Sequence, residues 1–334
     1  MLGRRAKVSE IAATAGVSTA TVDRVINARG GVRPTTVAKV ERALQTITQG
    51  PPRGVGSTLR TFDIFLPHET ARAMKVLKEE LESAAARRNA RVRVTFVARY
   101  NANAIVRHLT KALAAGSDGI ALQVMDHPLV REELSRLSEA DIPVVTLCTD
   151  LPGNNRLSFV GLDNRAAGRA SGWLMGRLCR TPGKVIVAWG GALYRSHEER
   201  ESGFRAILRS DFPGLDIVEE IDGNDDDDVS FDRFTAALKR HPDVHGIYCV
   251  GGGQRGVAEA CQSAGLAEQI VMIGHNCNAE TRPYLLSGTI DAVIHQDMER
   301  IAEAALKRLE NPGVAKGDAI IPIEIVTREN LRYR

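Results

Sequence analysis

Apolar positions recur along this chain in two different rhythms, and the change from one to the other divides it. In Lys7–Asn27 the residues Val8, Ile11, Ala12 and Ala15 return at helical spacing. Gly16 ends that run, since a tight turn needs a residue that enters left-handed φ without a Cβ clash. Ser18 stands at the N-cap of a second helix, its hydroxyl free to accept an orphan backbone N–H. That helix buries Ala20 or Thr21, together with Val22, Val25 and Ile26, and turns Thr19, Asp23 and Arg24 outward. A third helix is predicted from Pro34 to about Ile47, with the proline at its first position and Val37, Val40, Ala43 and Leu44 facing inward. Residues 49–61 (QGPPRGVGSTLRT) are rich in Gly and Pro, lack a core period and read as a linker.

From Thr61 onward, short apolar runs alternate with amphipathic segments. Candidate strands are Phe62–Leu66, Val92–Val97, Gly119–Val124 and Val144–Cys148, then Lys184–Gly190, Leu215–Ile221, Gly246–Val250, Ile270–Gly274 and Thr289–Ile294. Helices fall between them, for example Met74–Arg88 and Ala104–Ala115. Strands buried on both faces and separated by crossover helices predict doubly wound parallel sheets. Two such sets, split near Asp163, predict two similar subdomains with a cleft between them.

Charge sharpens the division. Residues 1–60 hold ten Lys and Arg against three Asp and Glu, whereas the rest of the chain is net negative and the total is only +3. Positive charge is therefore concentrated where two short helices meet at a glycine turn, the arrangement suited to a DNA major groove and its phosphates. At 334 residues and 43% hydrophobic the chain can bury more than one core. Its five cysteines (Cys148, Cys179, Cys249, Cys261, Cys277) form no CxxC pair and read as reduced, buried thiols of a cytoplasmic protein. Arg4, Arg5, Lys7 and Glu10 interrupt any early signal-like apolar stretch, and no apolar run approaches the roughly 18 residues of a membrane span.

Three motifs carry candidate chemistry. GGGQRG (Gly251–Gly256) has the G-x-G-x-x-G spacing after a strand and before a helix, which raises an NAD(P)-dependent oxidoreductase as an alternative. Dinucleotide binding also wants an acidic residue at the end of the next strand, and that strand ends in His275 and Asn276. A strand-end loop whose glycines admit a small ligand, with Gln254 beside it, is the plainer account. DGNDDDD (Asp222–Asp228) lacks the glycine and glutamate of a calcium loop and reads as an acidic helix start whose first residues line the cleft. RSHEERESGF (Arg195–Phe204) begins another helix, where composition alone favours reading its charges as a solvated face. There is no G-x-S-x-G elbow and no histidine pair at metal-ligand spacing, so no catalytic residue, metal or cofactor is expected.

VSEIAATAGVSTATVDRVIN followed by GGVRPTTVAKVERAL resembles the LacI/GalR family of transcription regulators, and the remainder resembles the periplasmic sugar-binding-protein core that this family carries. The resemblance implies an α/β protein in which a small all-α helix-turn-helix headpiece (1–48) and a linker (49–61) precede a two-subdomain core (62–334). The first subdomain would take about 62–160 plus 295–320, the second about 161–294 plus 321–334. It further implies a repressor that binds operator DNA as a homodimer and answers to a sugar, polyol or sugar acid held between the subdomains. Thr19, Ala20 and Arg24 would read bases, with Ser18, Thr21, Asn27 and Thr36 completing the DNA contacts. Leu59 stands in the place of a hinge leucine that wedges into the minor groove. Gly54 and Gly56 each disfavour helix by about 1 kcal/mol relative to Ala, so the linker is expected to stay extended.

For the ligand, the resemblance points to Arg200 before the G-F dipeptide, with His197 one turn earlier, to Asn276 in the place of a family aspartate, and to Gln296. Asp163 reads as a helix cap. Where relatives have a D-R pair this chain has Cys148-Thr149-Asp150, so Asp150 is expected to supply the displaced carboxylate. Ala71–Met74 stands where an aromatic pair is usual, which removes a stacking platform for a sugar ring and leaves Arg72 to favour an anion.

Overall fold

The computed structural model describes residues 8–331 apart from 28, 30, 34–35, 38, 41–42, 44–58, 68–71, 152, 154–155, 180–181, 191–193 and 315–316. The chain divides into two compact units, Met1–Leu59 and Arg60–Arg334.

In the first unit, α1 (Val8–Ala15) and α2 (Thr19–Ile26) are joined through Gly16, whose φ is +64°. A Cβ there would meet nothing within 4 Å, so the backbone angle rather than crowding calls for glycine. Val17 N–H returns to the Ala12 carbonyl at 3.0 Å, closing α1 with a Schellman-type bond. The Ser18 hydroxyl accepts from Thr21 N–H at 3.2 Å and so caps α2. Thr36, Val37, Lys39, Val40 and Ala43 are helical, and Ile11, Ala12, Val22, Val40 and Ala43 form the small core. Of the α2 alternatives, Thr21 is half-buried and Ala20 exposed. Two expectations fail: Val8 and Ile26 lie on the surface, because so small a core does not reach the outermost turns. Pro34, Leu44 and the linker glycines lie outside the described residues. Leu59 is exposed and in no regular element, and Arg60 already belongs to the first strand.

The second unit holds two sheets. The first runs β11-β5-β4-β3-β1-β2, all parallel: β1 is Arg60–Pro67, β2 Ala90–Val97, β3 Gly119–Leu122, β4 Val144–Leu147, β5 Ser158–Gly161 and β11 Ala319–Ile320. The second runs β12-β10-β9-β8-β6-β7, with β6 Gly183–Trp189, β7 Leu215–Asp222, β8 Val244–Cys249, β9 Val271–His275, β10 Ala292–His295 and β12 Glu324–Val326. Only β12 is antiparallel, against β10 at the sheet edge. Strands β5, β11 and β12 escape the apolar-run reading; β11 and β12, of two and three residues, are too short to show a period.

Helices cover both faces of each sheet. Helices α3 (Arg72–Arg87) and α11 (Met298–Glu310) pack on one face of the first sheet, and α4 (Ala102–Ala114) and α5 (Pro128–Glu139) on the other. On the second sheet, α8 (Asp227–Arg240), α9 (Gln254–Ser263) and α10 (Arg282–Ser287) oppose α6 (Asn164–Leu178) and α7 (Arg195–Asp211). The chain passes between the two lobes three times, after β5, after β10 and after β11. Helix α6 serves both: Ala167 joins the core of the first lobe and Met175 that of the second.

Helices α6 and α7 touch backbone to backbone. A Cβ on Gly168 would overlap the Arg200 carbonyl, and one on Gly203 would overlap the Arg165 carbonyl. This contact fixes where Arg200 stands in the second lobe.

Candidate functional site

On α2, Thr19, Ala20, Arg24 and Asn27 are exposed along one side of the helix, as the helical period demands. The Asp23 carboxylate is occupied locally: Asn27 Nδ2 donates to it at 2.7 Å and Arg29 at 3.1 Å. Its negative charge is thereby offset where a phosphate backbone would approach. Asn27 also donates to the Asp23 carbonyl, so its amide N–H groups finish the helix. Thr36 is half-buried in the third helical segment.

The second candidate surface lies between the lobes, at the carboxyl ends of both sheets, where open α/β sheets hold ligands. Arg200, 4% exposed, is central. Its Nε donates to Asn164 Oδ1 at 2.9 Å and its Nη1 to the Val250 carbonyl at 3.0 Å. Asn164 in turn donates to the Cys148 carbonyl, which ties the end of β4 to the arginine across the lobes. Burial pulls the guanidinium below its ordinary value and pushes the neighbouring Cys148 thiol up to about 12, so the thiol is neutral.

Two histidines lie beside Arg200. His197, on the same face of α7, is buried with Nδ1 unpartnered among the described residues and stacks edge-on against Tyr194. His275, fully buried at the end of β9, shares a 2.8 Å hydrogen bond between Nε2 and the Tyr248 hydroxyl and leaves Nδ1 without a partner among the described residues. Burial, reinforced by the Arg200 charge, lowers the pKa of both imidazoles, that of His275 well below the ordinary value.

The remaining expected ligand residues fall into three situations. Gln254 spends its amide on the protein: Nε2 donates to the His275 carbonyl at 2.6 Å and the Gly251 carbonyl at 3.1 Å, and Oε1 accepts from His275 N–H. It clamps the ends of β8 and β9. Asn276 sits at φ +64°, in the left-handed region that asparagine enters more readily than most residues, and its Oδ1 accepts from Gln296 Nε2 at 3.2 Å. Gln296 keeps a buried Oε1 with no partner among the described residues. Asp150 does not join the group. Both its oxygens are taken by Arg156, at 2.5 and 2.7 Å, and Arg156 is bound in turn to Asp318.

The carboxylate that does reach the site is Asp225, from the acidic loop after β7. It pairs with Arg99 at 2.6 Å and accepts from Gly252 N–H at 2.7 Å. Arg99 follows β2 in the other lobe, lies against the Tyr100 and Tyr194 rings and donates to the Asn224 carbonyl, while the Tyr100 hydroxyl donates to Asn224 Oδ1. A further link joins Ser196 N–H to Thr149 Oγ1 at 3.1 Å. Arg99, Tyr100 and Asn164 are not singled out by the sequence, and Asp225 is reached only as part of the acidic stretch Asp222–Asp228, whose first residues are expected at the cleft. Their positions just past strand ends were the available signal, but strand-end position alone does not tell which edge faces the other lobe.

The GGGQRG glycines have structural tasks. Gly253 takes φ +76° to start α9, and a Cβ on Gly256 would overlap the Asp227 carbonyl of α8. Asp225 fills the loop where a dinucleotide phosphate would sit, and its carboxylate repels one.

Residues 7–48 match the bacterial regulatory proteins of the lacI family, and residues 62–311 match the periplasmic binding protein domain family. The chain belongs to the LacI family of regulators. Its core takes the fold of solute-binding proteins. One neighbour is GanP, a glucose-galactose binding protein from Geobacillus stearothermophilus, at 23% identity and TM-score 0.76, covering 83% of this chain and all of the other. Another is a solute-binding protein from Burkholderia graminis in complex with D-arabinose, at 20% identity and TM-score 0.78, covering 82% of this chain and 97% of the other. AraP, an arabinose binding protein from Geobacillus stearothermophilus, is 24% identical with a TM-score of 0.68 over 81% of this chain and 98% of its own. No curated protein matches the chain. A LacI-type headpiece on a periplasmic-binding-protein-like core makes this LacI-family protein a DNA-binding regulator rather than an enzyme. Among the described residues no helix is long and apolar enough to cross a membrane, and no group of His, Cys, Asp and Glu is placed to hold a metal.

Proposed function

We propose that this LacI-family regulator is a cytoplasmic, homodimeric repressor released from or fixed on its operator by a small hydroxylated effector bound between the lobes. The observation that carries the reading is a pair of surfaces in one chain. One is an exposed recognition face with Thr19, Ala20 and Arg24, and the other an interlobe cluster of buried polar groups with unfilled hydrogen-bonding capacity around Arg200. Burying such groups costs free energy unless something satisfies them, and a polyhydroxylated ligand does so. The solute-binding neighbours named for glucose, galactose and arabinose support the same class of ligand. The headpiece dimer meets a pseudo-palindromic operator, with Arg24 suited to guanine O6 and N7 and the Ala20 methyl to a thymine methyl.

Effector binding changes operator affinity only insofar as it favours one lobe arrangement over another, so each arrangement must differ in DNA affinity. The test is operator titration of the full chain with and without a panel of sugars, polyols and sugar acids. A salt-dependent operator complex whose affinity shifts with one panel member, and no longer shifts in Arg200→Ala, is the expected result. An Arg200→Ala protein that still responds at the original effector concentration removes Arg200 from the site.

A further inference from the structure

Among the described residues, Arg200 is a buried cation without an anion of its own. There, two of its five N–H groups are used, both on neutral oxygens, and none of the ion pairs includes it. The carboxylates that act on it most are Asp225 and Glu199. Each is already paired with another arginine, Asp225 with Arg99 at 2.6 Å and Glu199 with Arg195 at 2.6 Å. Asp150 is held by Arg156. Further close neighbours are neutral: the Tyr248 hydroxyl, the Cys148 thiol, the Asn164 amide, and the imidazoles of His197 and His275, which burial keeps uncharged. An uncompensated guanidinium in low dielectric is costly, and an incoming anion relieves that cost.

Unused capacity lies beside this surplus charge. Among the described residues, His197, 7% exposed, and the fully buried His275 each leave Nδ1 open, and Gln296, 3% exposed, leaves Oε1 open. Open nitrogens suit oxygen-bearing groups, and the open amide oxygen suits a hydroxyl proton. Because the surplus is one positive charge, a single carboxylate balances it and a dianion does not.

Resting on the cleft being the effector site, we propose that the effector is a sugar acid: a small polyhydroxylated molecule whose one carboxylate is taken by Arg200. Cys148, whose thiol lies close enough to act on Arg200, then acts as a specificity residue by staying neutral. A carboxylate in its place supplies the counter-ion internally and turns the site toward uncharged sugars. The exchange can be tested there, because the Cys148 φ of +58° is one that Asp and Asn adopt with little strain.

The experiment is calorimetric titration of the full chain with matched pairs: D-galactose and D-galactonate, D-glucose and D-gluconate, D-arabinose and D-arabinonate, with D-glucose 6-phosphate as a phosphate arm. At least one acid is expected to bind tenfold or more tightly than its neutral parent. Cys148→Asp is expected to lose that preference at least tenfold, while Cys148→Asn, equally bulky and uncharged, keeps it. Thermal melts of both variants establish that they fold. Equal or tighter binding of every neutral parent overturns the charge assignment and leaves the cleft reading standing. Tighter binding of glucose 6-phosphate than of any acid overturns the single carboxylate. If no compound binds and none shifts operator affinity, the cleft reading fails and the proposal fails with it. A Cys148→Asn protein that loses the preference as fully as Cys148→Asp shows that bulk rather than charge was at work, which also overturns it.

Discussion

The two candidate surfaces of this protein hold their polar groups in opposite ways. On the recognition helix, Thr19 and Arg24 stand in solvent, while Asp23 and the Thr21 hydroxyl are engaged by near neighbours in sequence. Between the lobes, Arg200, His197, Gln254, His275 and Gln296 are buried, and most of their bonds go to one another or to strand ends. The first surface keeps its side chains free for a large, highly charged partner that supplies most of the binding energy itself. The second builds a rigid frame in which only a few atoms remain open, so that a small ligand finds them already oriented. Exposure serves the large partner, and enclosure the small one.

The sharpest way to break this contrast is through the glycines that support each surface. Gly168→Ala forces a methyl into the Arg200 carbonyl, and a cost of about 3 kcal/mol is expected, with the core melting roughly 6–12 °C lower. Gly16→Ala meets open space and carries only the left-handed backbone penalty of about 1–2 kcal/mol. If calorimetric melts of the two variants show equal losses, backbone contact between α6 and α7 is not what holds the frame.

Arg24→Ala comes next. It should lower discrimination among operator sequences by about 1–3 kcal/mol and leave effector binding alone. Selection from a randomised operator library reads this directly. Unaltered sequence preference with uniformly weaker binding would make Arg24 a phosphate contact.

Histidine titration separates the units more gently. Residues 1–59 contain no histidine, whereas the interlobe group includes His197 and His275 with lowered pKa values. The unfolded chain therefore takes up protons first, near pH 6.5, before the folded core does. Both contributions are fully present above pH 6.5 and are lost as the pH falls below it, by at most about 1.4 kcal/mol per pH unit for each imidazole. Melting curves between pH 7.5 and 5.5 should slope downward on acidification, with a shallower slope in His275→Gln. An unchanged slope in that variant assigns the acid sensitivity to other groups.

The smallest effect is expected at the junction. With an extended linker, Leu59→Ala leaves operator bending unaltered in a circular-permutation assay. A sharp central kink that disappears in the variant would instead identify Leu59 as a wedge between base steps.

Legibility from sequence followed the same contrast. The recognition face could be read from one helix, because its geometry depends on neighbours three and four residues away. The paired sheets could also be read, because runs such as VVTL and GIYC are apolar on both faces. The cleft could be read only in part. Arg200, His197 and Gln296 are buried near the strand ends, but Asp150 is turned to Arg156 by an ion pair only six residues long. Asp225 takes the carboxylate position, and its partner Arg99 is 126 residues away. Which carboxylate meets which arginine depends on lobe geometry, and no local period encodes it.

The Arg99–Asp225 contact joins the two lobes at their strand ends, and it has a consequence for solution conditions. Separating the lobes returns both charges to water, where mobile ions screen them over about 8 Å at physiological ionic strength. Added salt therefore favours the separated arrangement even with no DNA present. Operator binding carries its own salt dependence from counterions displaced at the phosphates. The slope of operator affinity against salt in this protein is then a sum of two ionic processes in different parts of the chain. A count of phosphate contacts taken from that slope will be correct only after the lobe contribution, measured on the DNA-free protein, has been subtracted.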